Sequence, residues 1–268
     1  MNDYSVLMSL YKNENADNFE DSLKSIFRQT LQPAQVVLVV DGPIGEKLKG
    51  VASKYSQLLD IVWLKSNHGL GYALAVGLKH CKYNFVARMD TDDLAISKRM
   101  EKQVKFLDKH PDVSVVGGYI AEFEHFPQQN SLIRKVPNDI MKIKTYSKRR
   151  NPLNHVTVLF RKKDILAVGS YQPFEGFEDY YLWVRLLAKG YKLANLPEVL
   201  VYVRIGNEMI YRRQGTAYFF RDFKFQHHLL VTGYITLPVF FLNFFTRCMV
   251  RLLPVKILGR VYKKFARK

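Results

Sequence analysis

Cysteine is nearly absent: Cys81 and Cys248 are the only two in 268 residues. They form neither a disulfide framework nor a thiolate metal site, so a stapled or zinc-bound scaffold is excluded and a reducing cytoplasm is the expected setting. Acidic residues are scarce, 24 against 41 Lys and Arg, which leaves a net charge of +17. That balance calls for a polyanionic partner, either nucleic acid or an anionic membrane surface. No glycine follows the first apolar run, where Ser9-Leu10-Tyr11-Lys12-Asn13 stands, so a Rossmann dinucleotide site is excluded. The P-loop signature is missing too. Nor is there a clean span of about 20 apolar residues; the nearest, Leu229–Phe245, is interrupted by Pro238. The opening MNDYSVLMSLYKNEN lacks the basic region of a signal peptide.

What is present suffices for a core, since 48% of the residues are hydrophobic. The first half alternates two periodicities. Tyr4–Leu10, Gln35–Val40, Ile61–Leu64 and Asn84–Met89 read as buried strands. Between them, Phe19, Leu23, Ile26 and Phe27 mark a helix capped by Asn15 or Asp17, with further helices over about 44–59 and Leu70–His80. Another helix opens at Ser97 and Glu101 and runs to about Lys109. This alternation predicts an α/β fold with a mostly parallel central sheet flanked by helices. The second half is less regular: strands over Val156–Phe160 and Val199–Arg204, and helices over Arg161–Val168 and Glu178–Lys189. A boundary is expected near Gly206.

In parallel sheets, ligands sit beyond the carboxyl ends of the strands. That rule selects Leu10–Glu14, Asp41-Gly42 and Asp90–Asp93. Arg88, Asp90 and Asp92 fall at alternate positions and share a face. Carboxylates side by side repel unless a cation lies between them, and Mg2+ or Mn2+ with a nucleotide diphosphate suits them. The plainer reading is a solvated turn with Asp92 or Asp93 capping the next helix. Glu178-Asp179 opens a helix, where acidic residues complement the dipole; the sharper reading is a general base for a hydroxyl. Asn67-His68-Gly69-Leu70-Gly71 is a glycine-containing helix entry that lets backbone approach a phosphate or ribose. Asn151-Pro152-Leu153-Asn154-His155 is a further polar stretch.

Seven segments, in order and spacing, resemble the family 2 glycosyltransferases with the GT-A fold, of the amylovoran-biosynthesis type that builds bacterial exopolysaccharide and O-antigen. They are Ser9–Glu14, Ser22–Thr30, Val36–Pro43, Asn67–Leu78, Ala87–Gln103, Asn154–Lys162 and Phe177–Leu186. The resemblance covers roughly residues 3–204. It implies a catalytic domain over 1–206, with a nucleotide-sugar half (1–110) and an acceptor half (111–206). Ser9, Leu10, Tyr11, Glu14, Asp41, Asn67 and Gly71 would bind the donor nucleotide, and Arg88 would support its phosphates. In the DxD motif, Asp90 would contact the donor ribose or the metal, and Asp92 would ligate that metal, Mn2+ or Mg2+. Asp179 matches the base of an inverting transferase, with Glu175 as a rival carboxylate. Glu178, His155 and Trp183 would contact the acceptor, a saccharide or a lipid-diphosphate-linked one.

From Val201 to Lys268, thirteen basic residues face two acidic ones amid apolar and aromatic residues. That is the composition of an interfacial segment. Residues 207–268 are therefore expected to place the protein at the inner face of the cell membrane. A basic nucleic-acid- or membrane-binding protein without transferase activity is the competing reading. Basic residues interleaved with apolar ones rather than gathered on a polar face argue against nucleic acid.

Overall fold

The β-branched runs of the first half form parallel strands buried on both faces. In this computed structural model, which describes residues 2–124, 127, 131–205 and 215–252, the chain begins with β1 (Tyr4–Leu10), α1 (Ala16–Phe27), β2 (Gln35–Asp41), α2 (Glu46–Lys54), β3 (Asp60–Leu64), α3 (Leu70–His80) and β4 (Phe85–Arg88). Asn15 caps α1 by accepting from the N–H groups of Asp17 and Asn18. There follow β5 (Leu94–Ala95), α4 (Arg99–Lys109), β6 (Val113–Phe123), β7 (Leu132–Arg134), α5 (Ile140–Tyr146), a 3-10 turn (His155–Thr157), β8 (Leu159–Arg161), α6 (Lys162–Ala167), α7 (Glu178–Ala188), β9 (Lys192–Arg204), α8 (Gly215–Val231) and α9 (Leu237–Leu252).

Strand order is β3-β2-β1-β4-β8-β6-β9-β5, with β7 on β6. The strands from β3 to β4 pair in parallel. From β4 onward antiparallel pairs enter, β4 with β8, β8 with β6 and β9 with β5, while β6 and β9 run parallel. The sheet is thus mixed. Side chains alternate across it. Val36, Leu38 and Val40 pack with α1, α2 and α4 through Leu23, Leu48 and Val104. Val37 and Val39 point the other way, onto α3 and α7 through Leu74, Leu78, Leu182 and Leu186.

The expected 156–160 strand lies slightly further on, as β8 (Leu159–Arg161), with the 3-10 turn before it. The helix expected to open at Ser97 and Glu101 instead starts at Arg99 behind Lys98, without a side-chain cap. Glu101 is drawn away to accept from Thr30 Oγ1 at 2.8 Å.

The apolar stretch after 215 is not one segment. It folds as the hairpin α8–α9, with Pro238 in the first turn of α9, where a missing N–H costs nothing. Its inner face is packed on the α/β unit: Phe225, Leu229, Ile235 and Phe240 bury against Phe177, Tyr180 and Val184 of α7 and its entry. The outer face leaves Phe220, Phe241, Leu242 and Phe245 exposed. No helix among the described residues is long and apolar enough to cross a membrane. The boundary near Gly206, Arg212, Arg213 and the basic stretch from 253 onward lie outside the described residues.

Helix α3 approaches the sheet closely at Gly77. A methyl group there would run into Leu7 Cδ1 and stand 2.6 Å from Val39 Cγ2. Overpacking of this kind costs about 1–3 kcal/mol. Gly77→Ala is expected to lower stability by that amount, read from a chemical denaturation midpoint; an unchanged midpoint would show that α3 is free to move.

Candidate active site

Three adjacent parallel strands end along one edge: β2 at Asp41, β1 at Leu10 and β4 at Arg88. Cross-ties hold the loops beyond them. Ser22 Oγ of α1 donates to the Asp90 carbonyl at 2.8 Å, and Thr91 Oγ1 to the Ser9 carbonyl at 3.4 Å. Tyr11 and Glu14 are half-buried, with the Glu14 N–H on the Tyr11 carbonyl at 3.2 Å. Ser9 is likewise half-buried. The Leu10 side chain is fully buried in the core, so its expected nucleotide contact is corrected to its backbone alone.

Asp41 is 3% exposed. Its Oδ1 accepts from the His68 N–H at 2.8 Å and its Oδ2 from the Gly69 N–H at 2.9 Å. Asn67, itself exposed, donates from Nδ2 to the Asp41 carbonyl at 3.1 Å. This carboxylate shapes the turn entering α3. Gly71 lies beyond, buried in the first turn. A methyl there would stand 2.7 Å from Glu178 Cγ. Gly71 thus leaves the space that seats Glu178.

At the β4 end, Arg88 is 1% exposed and Asp90 39%. Arg88 Nη2 donates to Asp90 Oδ1, while Nε and Nη1 find no partner among the described residues. Arg88 thus lies beneath the acidic turn rather than reaching out to a phosphate, because a strand covered on both faces buries even its last residue. Asp93, also buried, accepts from the Arg204 N–H at 2.9 Å, and Arg204 Nε donates to the Asp92 carbonyl at 3.1 Å. Neither Asp92 nor Asp93 caps α4; the turn is tied to β9 instead. Burial, then the charges of Asp92 and Asp90, push the Asp93 carboxyl well above the usual range.

These residues fit a hard divalent cation. Asp90 keeps a second oxygen beyond the one Arg88 engages, and Asp92 follows two residues on, so hard carboxylate oxygens stand close together at this strand end. No group of three or more His, Cys, Asp or Glu gathers among the described residues. The remaining ligand positions would therefore fall to phosphate oxygens and water.

Glu178 and Asp179 open α7. Asn151 Nδ2 donates to Asp179 Oδ2 at 2.6 Å, which fixes the rotation of that carboxylate. Burial raises the Glu178 carboxyl above its ordinary pKa. Glu175 faces outward, its side chain 75% exposed, and pairs with Arg221 at 2.7 Å.

Trp183 offers no face to a sugar. It is fully buried among Leu182, Leu186 and Leu187, and His155 packs against it edge-on at 6.0 Å. The expectation for Trp183 is corrected accordingly: its helical position shares the apolar side of α7. His155 Nε2 meets the Tyr171 hydroxyl at 2.9 Å. Burial, then the Arg88 charge, hold the imidazole neutral by lowering its pKa. An acceptor contact from that ring nitrogen competes with Tyr171.

Burial raises the Tyr171 hydroxyl, and the Arg88 charge opposes that. The start of α7 is brought to the strand-end edge through Glu178, which fills the space beside Gly71 in the α3 entry that Asp41 holds. Asn151 and Tyr171 are functional candidates that sequence reasoning did not single out. Asn151 had a signal in its polar stretch; Tyr171, a lone aromatic in a loop, had none.

Residues 5–172 match the model for glycosyl transferase family 2. The chain is 40% identical over 266 residues to the amylovoran biosynthesis glycosyltransferase AmsE of Erwinia amylovora, covering 97% of this chain and 98% of the relative. It is 37% identical over 269 residues to the UDP-Gal:alpha-D-GlcNAc-diphosphoundecaprenol beta-1,3-galactosyltransferase of Escherichia coli, covering 99% and 97%. Among solved structures, S. aureus TarS in complex with UDP-GlcNAc superimposes with a TM-score of 0.65 at 19% identity, over 85% of this chain and 66% of that one.

The contact between Gly71 and Glu178 generates a test. Gly71→Ala is expected to displace Glu178 and lower turnover by about tenfold or more, since small misplacements at a reacting centre are costly. The denaturation midpoint serves as the control. Full turnover would show that the Glu178 position is immaterial.

Proposed function

The chain belongs to glycosyl transferase family 2, and from that premise we propose that it transfers a sugar from a UDP-sugar to a saccharide on a lipid diphosphate, in bacterial surface polysaccharide synthesis. The seating of Glu178 against Gly71, in the helix entry that Asp41 holds, carries this reading, because a single displacement needs the donor and one base at the same place. Relatives named for amylovoran and for a diphosphoundecaprenol acceptor support the acceptor class.

Each residue then has a part. Ser9, Tyr11, Glu14, Asp41 and Asn67, with the Leu10 backbone, surround the nucleoside at the ends of β1 and β2. Asp90 and Asp92 would hold Mn2+ or Mg2+, which when bound would neutralise charge developing on the leaving diphosphate. Arg88 supplies the counter-charge beneath Asp90. Asp179, aimed by Asn151, accepts the proton of the acceptor hydroxyl, and the sugar inverts. Glu175, turned outward onto Arg221, is poorly placed for that task. Glu178 orients the acceptor beside it.

The α8–α9 hairpin is the membrane-facing element of this reading. Its exposed Phe220, Phe241, Leu242 and Phe245 enter the acyl boundary of an anionic inner leaflet, while basic residues meet headgroups.

Two measurements test this. Asp179→Asn should retain Mn2+-dependent UDP affinity, read by calorimetry, and lose about 10²–10⁴ in turnover. Asp92→Ala should lose the Mn2+-dependent part of that affinity. A fully active Asp179→Asn variant, or unchanged affinity in Asp92→Ala, would refute the assignments. Separately, Phe241→Ser with Phe245→Ser should weaken binding to vesicles of phosphatidylglycerol by about tenfold or more. Unchanged cosedimentation would reject the hairpin as the contact.

A further inference from the structure

The strip Lys148-Arg149-Arg150 lies between the catalytic base and the hairpin; Ser147, which leads into it, and the strip's own backbone are held by α7, the α8–α9 turn and α9. Tyr180 of α7 donates from its hydroxyl to the Ser147 carbonyl at 2.6 Å. Tyr234, in the α8–α9 turn, meets Ser147 Oγ at 2.5 Å. From α9, Asn243 Nδ2 donates to the Lys148 carbonyl at 2.9 Å and Arg247 Nη2 to the Arg149 carbonyl at 2.5 Å. The Arg149 and Arg150 N–H groups close onto the Tyr146 carbonyl, both at 2.9 Å.

The side chains on this rigid strip are left open. Arg149 and Arg150 are exposed, and among the described residues neither guanidinium has a carboxylate partner. By contrast Arg247, beside them, is paired with Asp222 at 2.6 Å. The next residue is Asn151, which holds the base Asp179 at 2.6 Å. Arg150 is thus the immediate chain neighbour of the residue that holds the base, and Arg149 stands one residue further back. In a sugar diphosphate, one pyranose ring separates the reacting hydroxyl from the diphosphate. Guanidinium is the donor best matched to such an anion, by forked hydrogen bonds as well as charge.

We propose that Arg149 and Arg150 bind the diphosphate of the acceptor, so that the strip reads the anionic end of the acceptor sugar while Asp179 takes the proton from its hydroxyl. The inference rests on the lipid-diphosphate reading given above. The hairpin that pins the strip also carries the exposed aromatic face, which puts a path for the lipid next to the diphosphate.

The test uses the full chain without vesicles and two water-soluble acceptors with the same sugar. One is an α-linked sugar diphosphate with a short alkyl tail; the other is the plain alkyl glycoside. The wild-type protein should prefer the diphosphate acceptor. Arg149→Ala with Arg150→Ala should raise KM for that acceptor by about ten- to a hundredfold, as expected for losing charge-assisted hydrogen bonds. Its kcat, its KM for the plain glycoside and its UDP affinity should stay within about twofold of wild type. Arg149→Lys with Arg150→Lys should recover part of the loss. Equal losses on both acceptors, or no change, would overturn the proposal, and no change here with weakened vesicle binding would reassign the arginines to bilayer headgroups. A wild-type protein without preference between the acceptors would overturn the lipid-diphosphate reading itself; a retained preference in the double variant would overturn only the role of the arginines.

Discussion

Arg88 and Arg99 lie side by side under the end of β4, both essentially excluded from water. Arg99 Nη2 donates to the Arg88 carbonyl at 2.8 Å, and its Nε donates to Gln103 Oε1 at 3.0 Å. Burial lowers the Arg99 guanidinium to about 9, and the Arg88 charge adds to the effect. Buried cations are tolerated only with compensation. For Arg88 the carboxylate that supplies it is Asp90. The acidic turn above is thus the counterpart of positive charge below, and it is held in place before any ligand arrives. Gln103 extends the arrangement by donating to the carbonyls of Val116 and Thr157, both at 2.8 Å, so β6 and the 3-10 turn are tied to the same centre.

That centre also explains how the sheet changes character. Up to β4 the chain follows strand, helix, parallel strand, and each carboxyl end contributes to one edge. After β4 the antiparallel β8 brings the 151–157 region back against the same end. Asn151, His155 and then Tyr171 arrive there from sequence far removed from Asp90. In the proposed reading, the second half supplies the proton-accepting side to a donor side already built.

The first half was legible because each buried strand is a continuous β-branched run and each helix shows one apolar stripe. Elements from β1 to α4 fall within a few residues of their expected positions, apart from the two-residue β5. β6 was harder to read. Gly117 and Gly118 interrupt it, and the structure shows why they are there: added methyls would meet Asn195 Oδ1 at 2.6 Å and Leu200 Cδ1 at 2.5 Å. The acidic positions were legible from motif and strand-end placement, whereas the direction of neighbouring side chains was not. Alternation put Arg88 on the face of Asp90 but did not tell that this face is roofed over. Trp183 follows Leu182 and precedes Leu186 by three residues, which is core spacing; an aromatic near a proposed base outweighed that signal in the sequence reading. The C-terminal segment was read by composition alone, and composition does not reveal that one side of a hairpin is already spoken for by α7.

The anchoring of that hairpin has a geometric consequence. Asn243 and Arg247 tie α9 to the loop that precedes Asn151, and Phe225, Leu229 and Phe240 seat the pair on α7. Whatever surface the outer aromatic side rests on, the start of α7 meets it at one height and one tilt. In the proposed reading the hairpin then acts as a gauge: a substrate held in that surface presents its sugar to Asp179 only when the stalk between them has the matching length.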